Sequence, residues 1–164
     1  MATLGVKYFE AVSMSEYEAG LVFEYPEEAS QTFKYKAPVV FDGSSGEIEI
    51  AVDTGFLYGL SLLAATGTTG TSIPVQVLTP NSVWAGTLST AGATVITALT
   101  DVGQQYSWIL STVTGETAKT VVDQADTTTP HCLIIALDPR DAVGDNNGRV
   151  LFMWERTALD TKTS

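Results

Sequence analysis

From Gln31 onward, apolar and polar residues alternate with a period of two, in runs broken by clusters of Gly, Pro, Asp and Asn. In QTFKYKAPVVF, Phe33, Tyr35 and Ala37 oppose Thr32, Lys34 and Lys36, the pattern of a strand with one buried face. DGSSG supplies turn residues and Glu47-Ile48-Glu49-Ile50 resumes the alternation, which predicts a hairpin. GFLYGLSLLAA is a short apolar run with internal glycine, so it predicts a buried strand rather than a helix. After the loop TGTTGTS, IPVQVLTP predicts a strand with its proline near the start, and SVWAGTL another in which Gly86 marks a bulge. TDVG is a turn, and YSWIL places Tyr106, Trp108 and Leu110 on one face. TAKTVVD, the buried run HCLIIALD and RVLFMWE, with Val150, Phe152 and Trp154 on one face, complete the series.

These runs amount to about eight strands between Gln31 and Glu155, spaced by short turns as in an antiparallel barrel or sandwich. No strand–helix alternation supports a parallel sheet, and no fixed-period repeat is present. Residues 1–30 have a different texture. Tyr8, Phe9, Tyr17, Phe23 and Tyr25 are interspersed with glutamates, no period persists, and Pro26 interrupts any ladder. This stretch reads as an extended arm with little core of its own, whose five aromatics are the candidate partner-binding residues. A short helix or edge strand packed on the same domain is the alternative. The chain thus divides into an arm (1–30), a β domain (31–155) and a polar tail (156–164).

Composition narrows the function. Hydrophobic residues make up 45% and charged residues only 16%, below the usual quarter, which points to a surface partly covered by something else. The net charge is −11 and the eight cations are scattered, so neither nucleic acid nor an anionic membrane is an expected partner. No run approaches the length of a membrane span, and MATLGVKYFEAVSM lacks the layout of a signal peptide, so synthesis and folding in a cytoplasm are expected.

Candidate chemistry is sparse. His131 is the sole histidine and Cys132 the sole cysteine; as strand neighbours they point to opposite faces, poorly placed to act as base and nucleophile. One Cys and one His do not make a zinc site. Asp138, Asp141, Asp145, Asn146 and Asn147 offer oxygens to calcium, but their spacing suits turn formation better, with Arg140 or Arg149 pinning the loop and Asn147-Gly148 making a tight turn. TGTTG and DGSSG lack the lysine and helix of a phosphate-binding loop. The expectation is no enzyme, no cofactor and no metal. Three tryptophans, Trp84 above all, leave a sugar-stacking module as an alternative.

The order of segments SQTFKYKAPVVFDGSSGEIEIA, GFLYGLSLLAATGTTGTSIPVQVLTPNSVWAG, TDVGQQYSWIL and VVDQADTTTPHCLIIALDPRDAVGDNNGRVLFMW resembles the decoration, or cement, proteins of tailed-bacteriophage heads, over about residues 30–155. The resemblance is one of layout. It implies an all-β barrel or β-tulip, attachment to the outside of the assembled capsid through the major capsid protein, homotrimers, and arms lying across neighbouring subunits. A tail or neck component with the same β domain is the further alternative.

Overall fold

Short apolar runs bounded by turn residues condense into strands, and no α-helix occurs among the described residues. The computed structural model describes residues 8–13, 21–52, 55–79, 82–90, 93–112, 117–155 and 157. Its strands are β1 (Glu10–Ser13), β2 (Val22–Pro26), β3 (Pro38–Phe41), β4 (Ile48–Ile50), β5 (Gly59–Ser61), β6 (Ser72–Val77), β7 (Val83–Ser89), β8 (Gln105–Leu110), β9 (Thr120–Asp123), β10 (Cys132–Leu137) and β11 (Arg149–Trp154).

Five of them close a barrel. The order β7-β11-β10-β8-β9 returns to β7 through a parallel pairing of Leu88 with Val122 and Ser89 with Asp123. Closure removes the open edges that an all-β chain must otherwise protect. β1 lies against the other half of β7, at Val83–Ala85. As expected, Val150, Phe152 and Trp154 all face the core from β11, joined by Trp84, Trp108 and Ile134.

The other five strands form a sheet in the order β2-β6-β5-β3-β4. It curls, because a bridge between Glu27 and Ile48 brings the end of β2 back to β4. Leu60 and Val40 on one face join the barrel's core cluster. The opposite face makes a second core from Phe33, Ala37, Val39, Ile48, Ile73 and Val75. The DGSSG turn forms as predicted: the Asp42 carboxylate accepts from the Ser44 hydroxyl at 2.7 Å and the Ser45 N–H at 2.9 Å, and Gly46 adopts φ +75°.

Four expectations are corrected. Nine strands, not about eight, lie between Gln31 and Glu155 among the described residues, and two more precede them. Residues 31–37 are not a strand. Lys36 turns the chain at φ 62°, and the Ser61 hydroxyl holds the turn by donating to Lys34 O at 2.9 Å and accepting from Ala37 N at 3.2 Å. The Ser61 backbone adds its own bonds, accepting from Lys36 N at 2.7 Å and donating to Ala37 O at 3.0 Å, so Phe33 and Ala37 reach the core while Tyr35 stays exposed. Gly86 makes no bulge; a Cβ there would sit 2.5 Å from the Phe9 ring, so its role is close approach. The stretch expected as an arm instead contributes β1 and β2 at its described residues, for Phe9 fills the barrel core and Tyr25 pairs with Ile73.

Candidate functional site

The groups with chemical potential are buried. His131 Nε2 lies 2.8 Å from the Gly55 carbonyl, which can only accept, so Nδ1 is left to accept from the Ser107 hydroxyl at 3.2 Å. That is the relation of a nucleophile to its base. Both residues are fully buried, however, and the pair works as an internal clasp between β8, the start of β10 and the 55–57 segment. Burial pushes the Cys132 thiol well up, with Glu155 adding to the effect, so it stays an unreactive thiol.

The acidic turn, expected to be turn chemistry pinned by Arg140 or Arg149, is an ion-pair knot. Arg140 donates through Nε and Nη2 to both oxygens of Asp138, at 2.9 and 2.7 Å, and Arg149 Nε lies 3.2 Å from Asp138 and 3.7 Å from Asp141. Burial pulls the Asp138 carboxyl upward, but the hydrogen bonds and charge of Arg140 and Arg149 outweigh it and hold it below its ordinary value. Asn147 takes φ 50° and its side-chain oxygen accepts from Val95 N at 3.0 Å. No group of three or more His, Cys, Asp or Glu able to hold a metal occurs among the described residues.

The tryptophans are core residues. Trp84 is fully buried with Nε1 donating to Ser82 Oγ at 2.6 Å, and Trp108 and Trp154 are buried as well. None of the three offers a ring to a sugar at the surface.

What the fold does expose is a cluster of other rings on the second sheet. Phe23 is 50% exposed and Phe41 37%, while Tyr25 and Tyr58 are half-buried beside them. Their ring centroids form a continuous set: Phe23–Tyr25 6.3 Å, Tyr25–Phe41 4.9 Å, Tyr25–Tyr58 5.5 Å and Phe41–Tyr58 4.5 Å. The Tyr25 and Tyr58 hydroxyls meet at 2.5 Å, and burial together with Tyr25 pushes the Tyr58 phenol up. Strand register explains the cluster. Phe23 and Tyr25 sit opposite Val75 and Ile73, and Phe41 opposite Ile48, so the rings continue the face of the second core outward.

Carboxylates gather around the β3–β4 hairpin, alternating with Phe41 and Ile48 and so on the face opposite to the rings. Asp42 follows Phe41, and Glu47 and Glu49 flank Ile48, whose carbonyl accepts from Glu28 N at 3.0 Å. Desolvation, followed by the charges of Glu49, Asp42 and Glu47, pushes the Glu28 carboxyl up. Asp42 is held down to about 2 by its hydrogen bonds from Ser44 and Ser45.

Of the five residues marked by sequence, Phe23 and Tyr25 come together here. Tyr8 lies elsewhere, edge-on to Tyr35 at 5.3 Å with Lys119 Nζ 4.5 Å over its ring. Phe9 is buried between Phe152 and Trp154, and Tyr17 lies outside the described residues. Sequence reasoning missed Phe41 and Tyr58. Phe41 ends an apolar strand at a turn, where a ring is easily left uncovered; Tyr58 carries no such signal.

Fold and surface together define an all-β protein, a closed five-stranded barrel joined to a curled five-stranded sheet, whose His131, Cys132 and Ser107 are internal and whose second sheet carries a cluster of partly exposed aromatic rings. No protein-family model matches the chain, and no curated protein or solved structure matches it significantly.

Proposed function

We propose that this chain is a structural virion protein that binds the outside of an assembled phage capsid and stabilises it across the boundaries between major-capsid-protein subunits, acting as a homotrimer made in the host cytoplasm. The observation that carries this reading is the continuous ring cluster of Phe23, Tyr25, Phe41 and Tyr58, whose Phe23 and Phe41 are exposed. Exposed rings are the usual anchors of protein interfaces. The layout resemblance to head decoration proteins supplies the kind of partner. The net charge of −11 suits an outer surface, away from packaged DNA. Many copies, each bridging subunits, add their contacts by multivalency, so a modest interface per copy suffices to hold a shell.

The test is co-sedimentation with capsids lacking the protein. Saturable pelleting at micromolar concentration is expected, together with a rise in the temperature at which the capsids open. Protein that stays in the supernatant overturns the reading. The burial of all three tryptophans weighs against the sugar-binding alternative; specific glycan-array binding would restore it.

A further inference from the structure

We propose that Tyr25 and Tyr58 form an oxidative cross-linking site, at which a peroxide, acting through one-electron oxidation, joins the two phenol rings by a carbon–carbon bond and staples β2 to the chain entering β5. This goes beyond the binding role above and does not depend on it.

Geometry is the first support. Tyr25 lies on β2 and Tyr58 directly before β5, and their hydroxyl oxygens meet at 2.5 Å with the ring planes at 83°. The centroids are only 5.5 Å apart, so the rings stand side by side rather than end to end. That brings together the ring carbons next to the hydroxyls, where a phenoxyl radical carries much of its unpaired electron. Loss of the electron requires loss of the phenol proton, and the neighbouring oxygen is placed to accept it. The step balances. Each phenol gives up one electron and one proton, the two radicals join through these carbons, and the hydrogens on the joined carbons pass to the oxygens and restore both hydroxyls. Two hydrogens leave in all and reduce one hydrogen peroxide to two waters.

Selectivity is the second support. Tyr8 and Tyr35 also meet, at 5.3 Å, but Lys119 Nζ lies 4.5 Å over Tyr8 and Lys36 Nζ 5.5 Å over Tyr35. A cation over a ring opposes the loss of an electron from it. Among the described residues no lysine or arginine lies over Tyr25 or Tyr58. Tyr106 is buried, with its hydroxyl donating to Asp101 at 2.9 Å. Phe23 and Phe41 wall the Tyr25–Tyr58 pair with rings that carry no phenol. The new bond would hold the curl of the second sheet, where β2 and β4 otherwise meet through the Glu27–Ile48 bridge.

The experiment treats the full chain, dilute enough to disfavour coupling between chains, with a haem peroxidase and hydrogen peroxide. Free N-acetyltyrosine in a parallel sample verifies the oxidant. The chain variants are Y25F, Y58F and Y35F, each checked by near-ultraviolet circular dichroism for an unchanged core. The expected product is a single chain lighter by two hydrogens, with the blue fluorescence of a biphenol and a proteolytic fragment that links Tyr25 to Tyr58. Y25F and Y58F keep the rings but should lose the link, and Y35F should retain it. The link closes a loop of 33 residues and should raise Tm by about 5–10 °C, as a disulfide of that span does. A chain left unlinked while free tyrosine couples overturns the inference. So does a link that survives Y25F or Y58F, one that disappears in Y35F, or coupling mainly between chains. A Tyr25–Tyr58 link that leaves Tm unchanged overturns the staple.

Discussion

Replacing Glu27 by alanine tests whether one buried carboxylate holds the curled sheet together. Glu27 is fully buried at the seam where the end of β2 meets β4. One carboxylate oxygen accepts from Gly67 N at 2.6 Å; the other accepts from Thr66 N at 3.0 Å and Thr66 Oγ at 2.8 Å. Its backbone bonds the far side of the same loop, with Glu27 N to Thr71 O and Gly70 N to Glu27 O both at 2.8 Å. Hydrogen bonds to a charged acceptor contribute about 1.5–3 kcal/mol each. Three would sum to more than 4 kcal/mol, but Thr66 is exposed, so water can re-solvate part of what E27A leaves behind. The expected loss is therefore about 3 kcal/mol. E27Q keeps the shape but turns an N–H₂ group toward a donor, and about 2 kcal/mol is expected. For a chain of this size each kcal/mol lowers Tm by about 2–4 °C. Glu24, exposed three residues earlier on β2, supplies the control: E24Q should cost under about 0.5 kcal/mol. Urea unfolding followed by tryptophan fluorescence gives the energies, and hydrogen exchange at Thr66 and Gly67 gives the location. If E27A is no more destabilising than E24Q, or exchange in the 66–71 loop is unchanged, the carboxylate does not hold the seam.

Other consequences are equally accessible. G86A places a Cβ 2.5 Å from the Phe9 ring and 3.0 Å from Phe152, and should destabilise by about 1–3 kcal/mol in thermal denaturation; F9L should recover part of this in a double-mutant cycle, and simple additivity would argue against direct contact. Cys132, with its thiol pushed up by burial, should react with a disulfide reagent only at the rate of unfolding; rapid labelling of the native protein would contradict the core placement. Asp138 titrates below its unfolded value in the folded chain, so its contribution is full above the unfolded value near 3.8 and is lost as pH falls through the lower folded value. D138N should therefore destabilise at pH 7 and flatten the loss of stability below pH 4, whereas an unchanged acid limb in urea titrations would assign that limb to other carboxylates.

How much of this was legible in the sequence depended on whether the deciding partner was local. β10 and β11 could be read because Val150, Phe152 and Trp154 alternate without interruption and the polar turn before them is rich in Asp and Asn. The 31–37 segment could not. Its alternation is as regular as theirs, yet Ser61, more than twenty residues away, holds a turn at Lys36 through both its hydroxyl and its backbone. The parallel contact of β7 with β9 that closes the barrel likewise leaves no mark on either strand. Glu27 and Glu28 are adjacent and identical in type, and only the 66–71 loop decides which is buried. The exposed face was half legible. Aromatic density singled out Phe23 and Tyr25 along with Tyr8 and Phe9, but periodicity cannot separate a ring that the fold covers, such as Phe9, from one that it leaves bare, such as Phe41.

The placement of the N-terminal stretch alters what a truncation can prove. An arm that only grips a partner is dispensable to the fold, so deleting residues 1–30 should spare the β domain and abolish binding. The strands argue otherwise. The deletion removes β1 from the edge of β7 and β2 from the edge of β6, the Phe9 ring from between Phe152 and Trp154, and the Glu27 carboxylate from its loop. Loss of a buried phenylalanine alone costs about 3–5 kcal/mol. Adding about 3 kcal/mol for Glu27 approaches the whole stability of a domain with the usual 5–15 kcal/mol. Residues 31–164 should then lack a cooperative urea transition, or show a midpoint far below that of the full chain, and their failure to bind a partner would carry no information about the surface. A truncated chain with the parent's midpoint would show that the strands of 1–30 lie on the domain without supporting it. F23S/F41S avoids the ambiguity, because it removes the exposed rings of β2 and β3 while leaving their backbone pairing in place.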